Sequence, residues 1–135
     1  PGHSDANISV YVPEDKVVFV GDTVFSDCQT WLHSCNFDEI FNTLMFINTL
    51  DVYFIVPGHG PVVDKKYLFK QASIIYEWMH TVSDSISKGW SKKECLKRIS
   101  FADRFPVDIG QEDAMDYVQT ANVSVVWDYL IGKNS

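Results

Sequence analysis

Positive charge is what this chain is shortest of. Eleven lysines and arginines stand against 18 aspartates and glutamates in 135 residues, for a net charge of −7. No basic stripe is available to follow a phosphate backbone, so nucleic acid is not an expected partner, and small or cationic ligands suit the surface better. No apolar run approaches the ~20 residues of a membrane span, so no membrane association is expected. Cysteine is sparse and odd in number: Cys28, Cys35 and Cys95 form no C-x-x-C pair, so neither a disulfide framework nor a zinc ribbon is signalled. Free thiols in a reducing, cytoplasmic setting are the expectation. There are no repeats, low-complexity segments or linkers. The chain opens at Pro1, without methionine or a secretory leader, and a preceding segment is expected to be missing.

What is present suits one domain. Hydrophobic residues make up 46% and charged residues 21%, and a chain of this length buries roughly 68% of its unfolded surface. Asn7 to Val12 alternates, with Ile8, Val10 and Val12 on one face, which predicts a half-buried strand. After the turn "PEDK", Lys16 to Val20 reads as the antiparallel return strand, ending in Gly21-Asp22-Thr23 and so placing Asp22 at a strand terminus. Asn36 followed by Glu39 predicts a capping box for a helix over 37–50. Val52 to Val56 is continuously apolar, as in a strand covered on both faces, and stops at "PGHGP".

The rest reads as helices. One spans 65–88 and closes at Gly89, a short one is capped by Ser91 and Glu94, and a third spans 111–131 and closes at Gly132. Ile75, Trp78, Met79 and Val82, and Tyr117, Val118, Ala121 and Val125, are spaced as core positions. No chemistry is legible in these helices.

His3, Asp22 and His59 each stand in a glycine-containing turn beside a strand, where side chains from separate strands converge. Imidazole and carboxylate are ligands that a divalent metal such as zinc accepts. Each also has a plainer reading: a solvated histidine near a terminus, an aspartate that forms a turn, a histidine that caps a helix. His33, eleven residues after Asp22, is a solvated loop residue or a substrate contact. His80, beside Trp78 and Met79, is a packing or surface residue.

Taken in order, "PGHS", "NISVYVPEDKVVFVGDTVF", a helix-rich spacer and "IVPGHGPV" resemble the second half of the metallo-β-lactamase fold superfamily, closely over about residues 1 to 70. The resemblance implies an α/β fold, the C-terminal half of an αββα sandwich. Residues 1–70 would be the second half of the domain, and 71–135 the extra C-terminal helices of the same domain. It implies that His3 helps hold a first metal, that Asp22 bridges two metals and is the catalytic residue, and that His59 holds the second. The expected cofactor is a pair of zinc ions, with iron or manganese as alternatives. The expected activity is hydrolysis of an ester, thioester, lactam or phosphoester by metal-activated water, with Ser4, Asp5 and Thr23 orienting ligands.

Two departures shape these expectations. The family's H-x-H-x-D-H cluster has no counterpart, so most ligands are missing and the isolated chain is expected to be inactive. The turn after His3 reads Ser4-Asp5-Ala6-Asn7, where many members have Thr-Pro-Gly-Ser, and Asn7 is similar to the asparagine of the Asp-Asn pair in some true β-lactamases. Those enzymes have cysteine at the position of Asp22, so the bridging aspartate points to the broader hydrolase group. Besides a small-molecule substrate, the expected partner is the missing N-terminal half or a second copy. A metal-binding or assembly fragment without activity, and an iron redox protein on the same scaffold, are the alternatives.

Overall fold

The computed structural model describes residues 2–4 and 6–133, a mixed α/β arrangement with a three-stranded sheet and four α-helices. Strand β1 (Val10–Val12) pairs antiparallel with β2 (Val17–Phe25), and β3 (Phe54–His59) pairs parallel with β2 on its other side. Helix α1 (Ile40–Thr49) makes the crossover between the two parallel strands, as parallel pairing demands. Then come α2 (Lys66–Ser87), α3 (Lys92–Arg98), a 3-10 turn (Glu112–Ala114) and α4 (Met115–Lys133).

One face of the sheet is the core face. Val18, Val20 and Ile55 are fully buried there under α1 and α2, and Ile75, Trp78, Val82, Val118, Val123 and Val126 continue the core between α2 and α4. The opposite face is apolar and open. Register pairs Val10 with Phe19, Val12 with Val17, Val17 with Phe54 and Phe19 with Val56. Directly paired residues share a face, yet Val10, Phe19 and Phe54 remain 53%, 46% and 55% exposed.

Several boundaries differ from the expected ones, each for a reason outside the local sequence. The first strand is Val10–Val12 rather than 7–12, and Ile8 is exposed, because pairing with β2 ends at Phe19, just before the irregularity at Gly21. The return strand does not end at Gly21. It runs on to Phe25 through register shifts beside Gly21, whose φ of +53° suits glycine. Asp22 therefore lies within the strand. The third strand is not covered on both faces: it is Phe54–His59, and Tyr53 and Phe54 are exposed.

Helix α1 starts at Ile40, and no capping box forms at Asn36. Instead Asn36 Oδ1 accepts from the Asp38 N–H at 3.1 Å in a local turn, and Glu39 makes no side-chain cap. The capping box at Ser91 and Glu94 does form, and Gly89, at φ +80°, closes α2. Helix α4 begins later than expected and runs through Gly132, while Tyr117 faces outward against Trp31, ring centroids 5.9 Å apart. Among the described residues no helix is long and apolar enough to cross a membrane.

Candidate metal centre

Asp22 reaches the end of the sheet because Gly21 turns β2 out of its regular pleat. His59 arrives on the adjacent strand, in register with Phe25, and the two rings stack with centroids 4.9 Å apart and planes 3° apart. The glycines flanking His59 admit the neighbouring strand. A Cβ on Gly58 would stand 2.0 Å from Asp22 Oδ1 and 2.8 Å from its backbone nitrogen, and one on Gly60 would stand 1.8 Å from the Ser26 carbonyl oxygen. "PGHG" is thus the sequence that lets β3 close against Asp22 and Ser26, and the Ser26 N–H donates to the His59 carbonyl at 3.0 Å.

His3 comes from the opening turn, which is tied to the start of α1 by the Asn36 N–H donating to the Gly2 carbonyl at 2.7 Å. The three expected residues meet. Nε2 of His3 lies 3.8 Å from Asp22 Oδ2, and Nε2 of His59 lies 3.6 Å from Asp22 Oδ1, so each carboxylate oxygen faces a different imidazole. They line one depression of about 90 Å³ with Phe25, Trp31, His33 and Gln111. His33 is exposed on its rim, edge-on to His3 at 6.0 Å between ring centroids. His80 is exposed on α2, away from the cleft, beside Tyr76.

Burial pushes the His3 imidazole below its ordinary pKa; the Asp22 carboxylate opposes that, and His33 and His59 add to it. The neutral ring is thereby favoured, the form that has a free lone pair. Of the residues expected to orient ligands, Thr23 is buried and its hydroxyl accepts from the Asn7 side-chain amide. Ser4 enters through its carbonyl, which accepts from the Gly2 N–H at 3.2 Å, and Asp5 lies outside the described residues.

One close neighbour of His59 carries no motif in the sequence. Asp108 Oδ2 is 3.0 Å from His59 Nδ1. The Asp108 carboxyl is held below the usual carboxylate range, chiefly by this hydrogen bond and then by the Ile109 N–H, which donates to Oδ1 at 2.8 Å. Buried amides put Asp108 there. Gln29 Nε2 donates to the carbonyls of Phe101 and Phe105 at 2.9 and 2.7 Å, its backbone N–H donates to Pro106 at 2.8 Å, and Gln119 of α4 donates to Gln29 Oε1 at 3.0 Å. Asn122 grips the other side of the cleft, accepting from the Leu32 N–H and donating to the Thr30 carbonyl, both at 2.8 Å. Glutamine and asparagine in the buried stripe of α4 were the available signal: buried amides need polar partners, so a loop has to pack there. The C-terminal helices accordingly shape the site.

The donor set meets only part of what a metal needs. Two ligands of one tetrahedral zinc, at about 2.0–2.2 Å each, stand roughly 3.4 Å apart, close to the 3.6 and 3.8 Å separations from Asp22 to the two histidines. The buried Gln111 Oε1 in the cleft wall has no hydrogen-bond partner among the described residues, leaving an oxygen for a donor group or a cation. Kind and spacing fit, but number falls short. Among the described residues no group of three or more His, Cys, Asp or Glu side chains is arranged to hold one ion, whereas firm sites have three or four protein ligands.

Residues 1–59, ending at His59, match the family model described as the metallo-beta-lactamase superfamily. The Beta-lactamase-like protein 2 homolog of Caenorhabditis elegans is 32% identical over 65 residues, which are 48% of this chain and 21% of the worm protein. The crystal structure of VMB-1 at pH 5.5 aligns with 53% of this chain and 35% of its own, at 32% identity and a TM-score of 0.48. The chain therefore spans between about a fifth and about a third of the length of these relatives.

Proposed function

We propose, from the match of residues 1–59 to the metallo-beta-lactamase superfamily, that this chain supplies one side of a dinuclear metal centre in a metal-dependent hydrolase. The observation that carries the reading is the carboxylate of Asp22, with each oxygen turned to a different histidine. His3 and Asp22 Oδ2 would hold one ion, and His59 and Asp22 Oδ1 the other. When bound, a pair of zinc ions supplies a water that is acidic near neutral pH and polarises a carbonyl or phosphoryl oxygen.

The chain's own residues do the positioning. Asp22 carries the negative charge that sets two cations side by side, and Gly21 and Gly58 let it stand between the two imidazoles. Burial favours the neutral form of His3, which is able to donate its lone pair. Trp31, His33 and Gln111 line the space where a small-molecule ester, thioester, lactam or phosphoester would sit. Zinc is the proposed metal, with iron or manganese accepted by the same donors.

The remaining ligands come from outside this chain in this proposal. The open apolar face of the sheet supports the same conclusion, since leaving several such side chains wet forfeits roughly 1.5–3 kcal/mol each. The cover proposed is the other half of the domain or a second copy. The ligand shortage favours one second reading for the chain by itself, an inactive metal-binding or assembly fragment. Three free thiols, two of them buried, agree with a cytoplasmic location.

Kinetics of point variants in the longest native form of the protein test the proposal. Asp22→Asn keeps the shape of the side chain but removes its charge, and is expected to reduce hydrolysis far more than His33→Ala. Activity that survives Asp22→Asn within about tenfold, roughly 1.4 kcal/mol of barrier, and collapses on His33→Ala would overturn the assignment.

A further inference from the structure

The two nitrogens of His59 face different neighbours. Nε2 looks into the cleft, 3.6 Å from Asp22 Oδ1, and Nδ1 looks away from it, 3.0 Å from Asp108 Oδ2. The ring is constrained twice. Stacking on Phe25 fixes its plane, and the bond to Asp108 fixes its rotation within that plane. Asp108 is itself oriented, because its other oxygen takes the Ile109 N–H at 2.8 Å and its segment is pinned through Pro106 to Gln29.

We propose that Asp108 is a positioning residue that keeps the proton of the His59 imidazole on Nδ1 and so presents Nε2 to the cleft as a bare donor atom. The proposal rests on the reading of His59 as a metal ligand, which needs that lone pair. The chemistry is direct. A carboxylate has only lone pairs to offer, so a 3.0 Å contact with Nδ1 requires the proton to lie between them. In the neutral ring the free electron pair is then on Nε2, the nitrogen nearer Asp22. Among the described residues the other carboxylate at the ring is Asp22, whose Oδ1 stands 3.6 Å from Nε2, beyond hydrogen-bond distance, and Phe25 stacking fixes a plane without distinguishing the two nitrogens. A tether that merely joins the 101–108 loop to β3 would hold the loop equally well with either tautomer, and this separates the positioning role from a structural one.

Long-range proton–nitrogen NMR correlation on the metal-free 135-residue chain reads the tautomer of each of its four histidines. The His59 signals are assigned by their disappearance in His59→Gln, and spectra are taken where the ring signals no longer move with pH. Wild type is expected to show His59 protonated on Nδ1. Asp108→Ala is expected to move it toward the Nε2-protonated form that free histidine prefers. Asp108→Asn, nearly the same size and less disruptive to the loop, can donate to Nδ1 and is expected to move it the same way. An Nε2-protonated ring in wild type, or one unchanged tautomer in wild type and both variants, would overturn the proposal; the wild-type spectrum decides alone if a variant fails to fold. Added zinc then separates the two readings. Zinc in large excess, as weak binding by the isolated chain requires, that leaves the His59 signals untouched with the proton on Nδ1 counts against the metal site while the Asp108 assignment stands.

Discussion

Phe25 and His59 are register partners across the parallel strands β2 and β3, and their rings stack face to face at 4.9 Å. Phe25 is almost fully buried, so a core residue fixes the plane of a side chain in the cleft. The same strand pair carries Asp22, three residues before Phe25. Site geometry and sheet register are thus one property here, and substitutions that move β3 against β2 are expected to disturb both.

Gly58→Ala tests this coupling. Its methyl group would lie 2.0 Å from Asp22 Oδ1 and 2.8 Å from backbone atoms of Gly21 and Asp22, and backbone cannot step aside as a side chain can. A loss of about 1–3 kcal/mol or more is expected in urea denaturation. Gly132→Ala is the control: it sits in α4 with nothing within 4 Å of the new methyl, so it is expected to be neutral or to stabilise by up to about 1 kcal/mol. Equal effects from the two would contradict the picture.

The cysteines are expected to be inert in the folded chain. Burial pushes the Cys35 thiol up to about 12, and burial, helped by Asp108 and Asp27, pushes Cys28 up to about 11. Only the thiolate reacts, so at pH 8 alkylation of both should run roughly two to three orders of magnitude slower than in urea, where thiols return to about 8.5. The rate should rise with pH well beyond pH 9. Fast labelling of native Cys35 at pH 8 would show that the half-buried Cys35 sulfur is not shielded from water.

The apolar outer face predicts association. Val10, Phe19 and Phe54 lie exposed together on it, and patches of that kind normally have a partner. Light scattering at micromolar concentration should give a mass above 15.4 kDa, or mass spectrometry should find an accompanying fragment. A stable monomer of 15.4 kDa with no fragment would refute the expectation.

Much of this was readable from sequence where the cause is local. The Ser91 capping box and the Gly89 helix stop depend on neighbours a few residues away, whereas the meeting of His3, Asp22 and His59 depends on β2–β3 pairing and was legible only from the resemblance of their motifs to the family. What was missed depends on distant partners. Asp22 stays within a strand because β3 continues to pair beyond Gly21. Asn36 is the local exception, failing as a cap because its side chain accepts from the N–H of Asp38, two residues on. Asp108 reaches His59, 49 residues earlier in the chain, only through the buried amides of Gln29 and Gln119.

Isothermal calorimetry on the isolated chain should find weak zinc binding. Each ion would have at most one histidine and one carboxylate oxygen from this chain, short of the three or four protein ligands of firm sites. A submicromolar dissociation constant would show that the described residues complete a site by themselves.

The most direct test of the bridging role of Asp22 is the metal content of the longest native form, measured by mass spectrometry of the elements in wild type and in Asp22→Asn. Two zinc ions per chain are expected in wild type and at most one in the variant, because an amide no longer supplies the charge that sets two cations side by side. Two iron ions would point to redox chemistry on the same scaffold. Two zinc ions retained by Asp22→Asn, or no metal in either protein, would contradict the assignment.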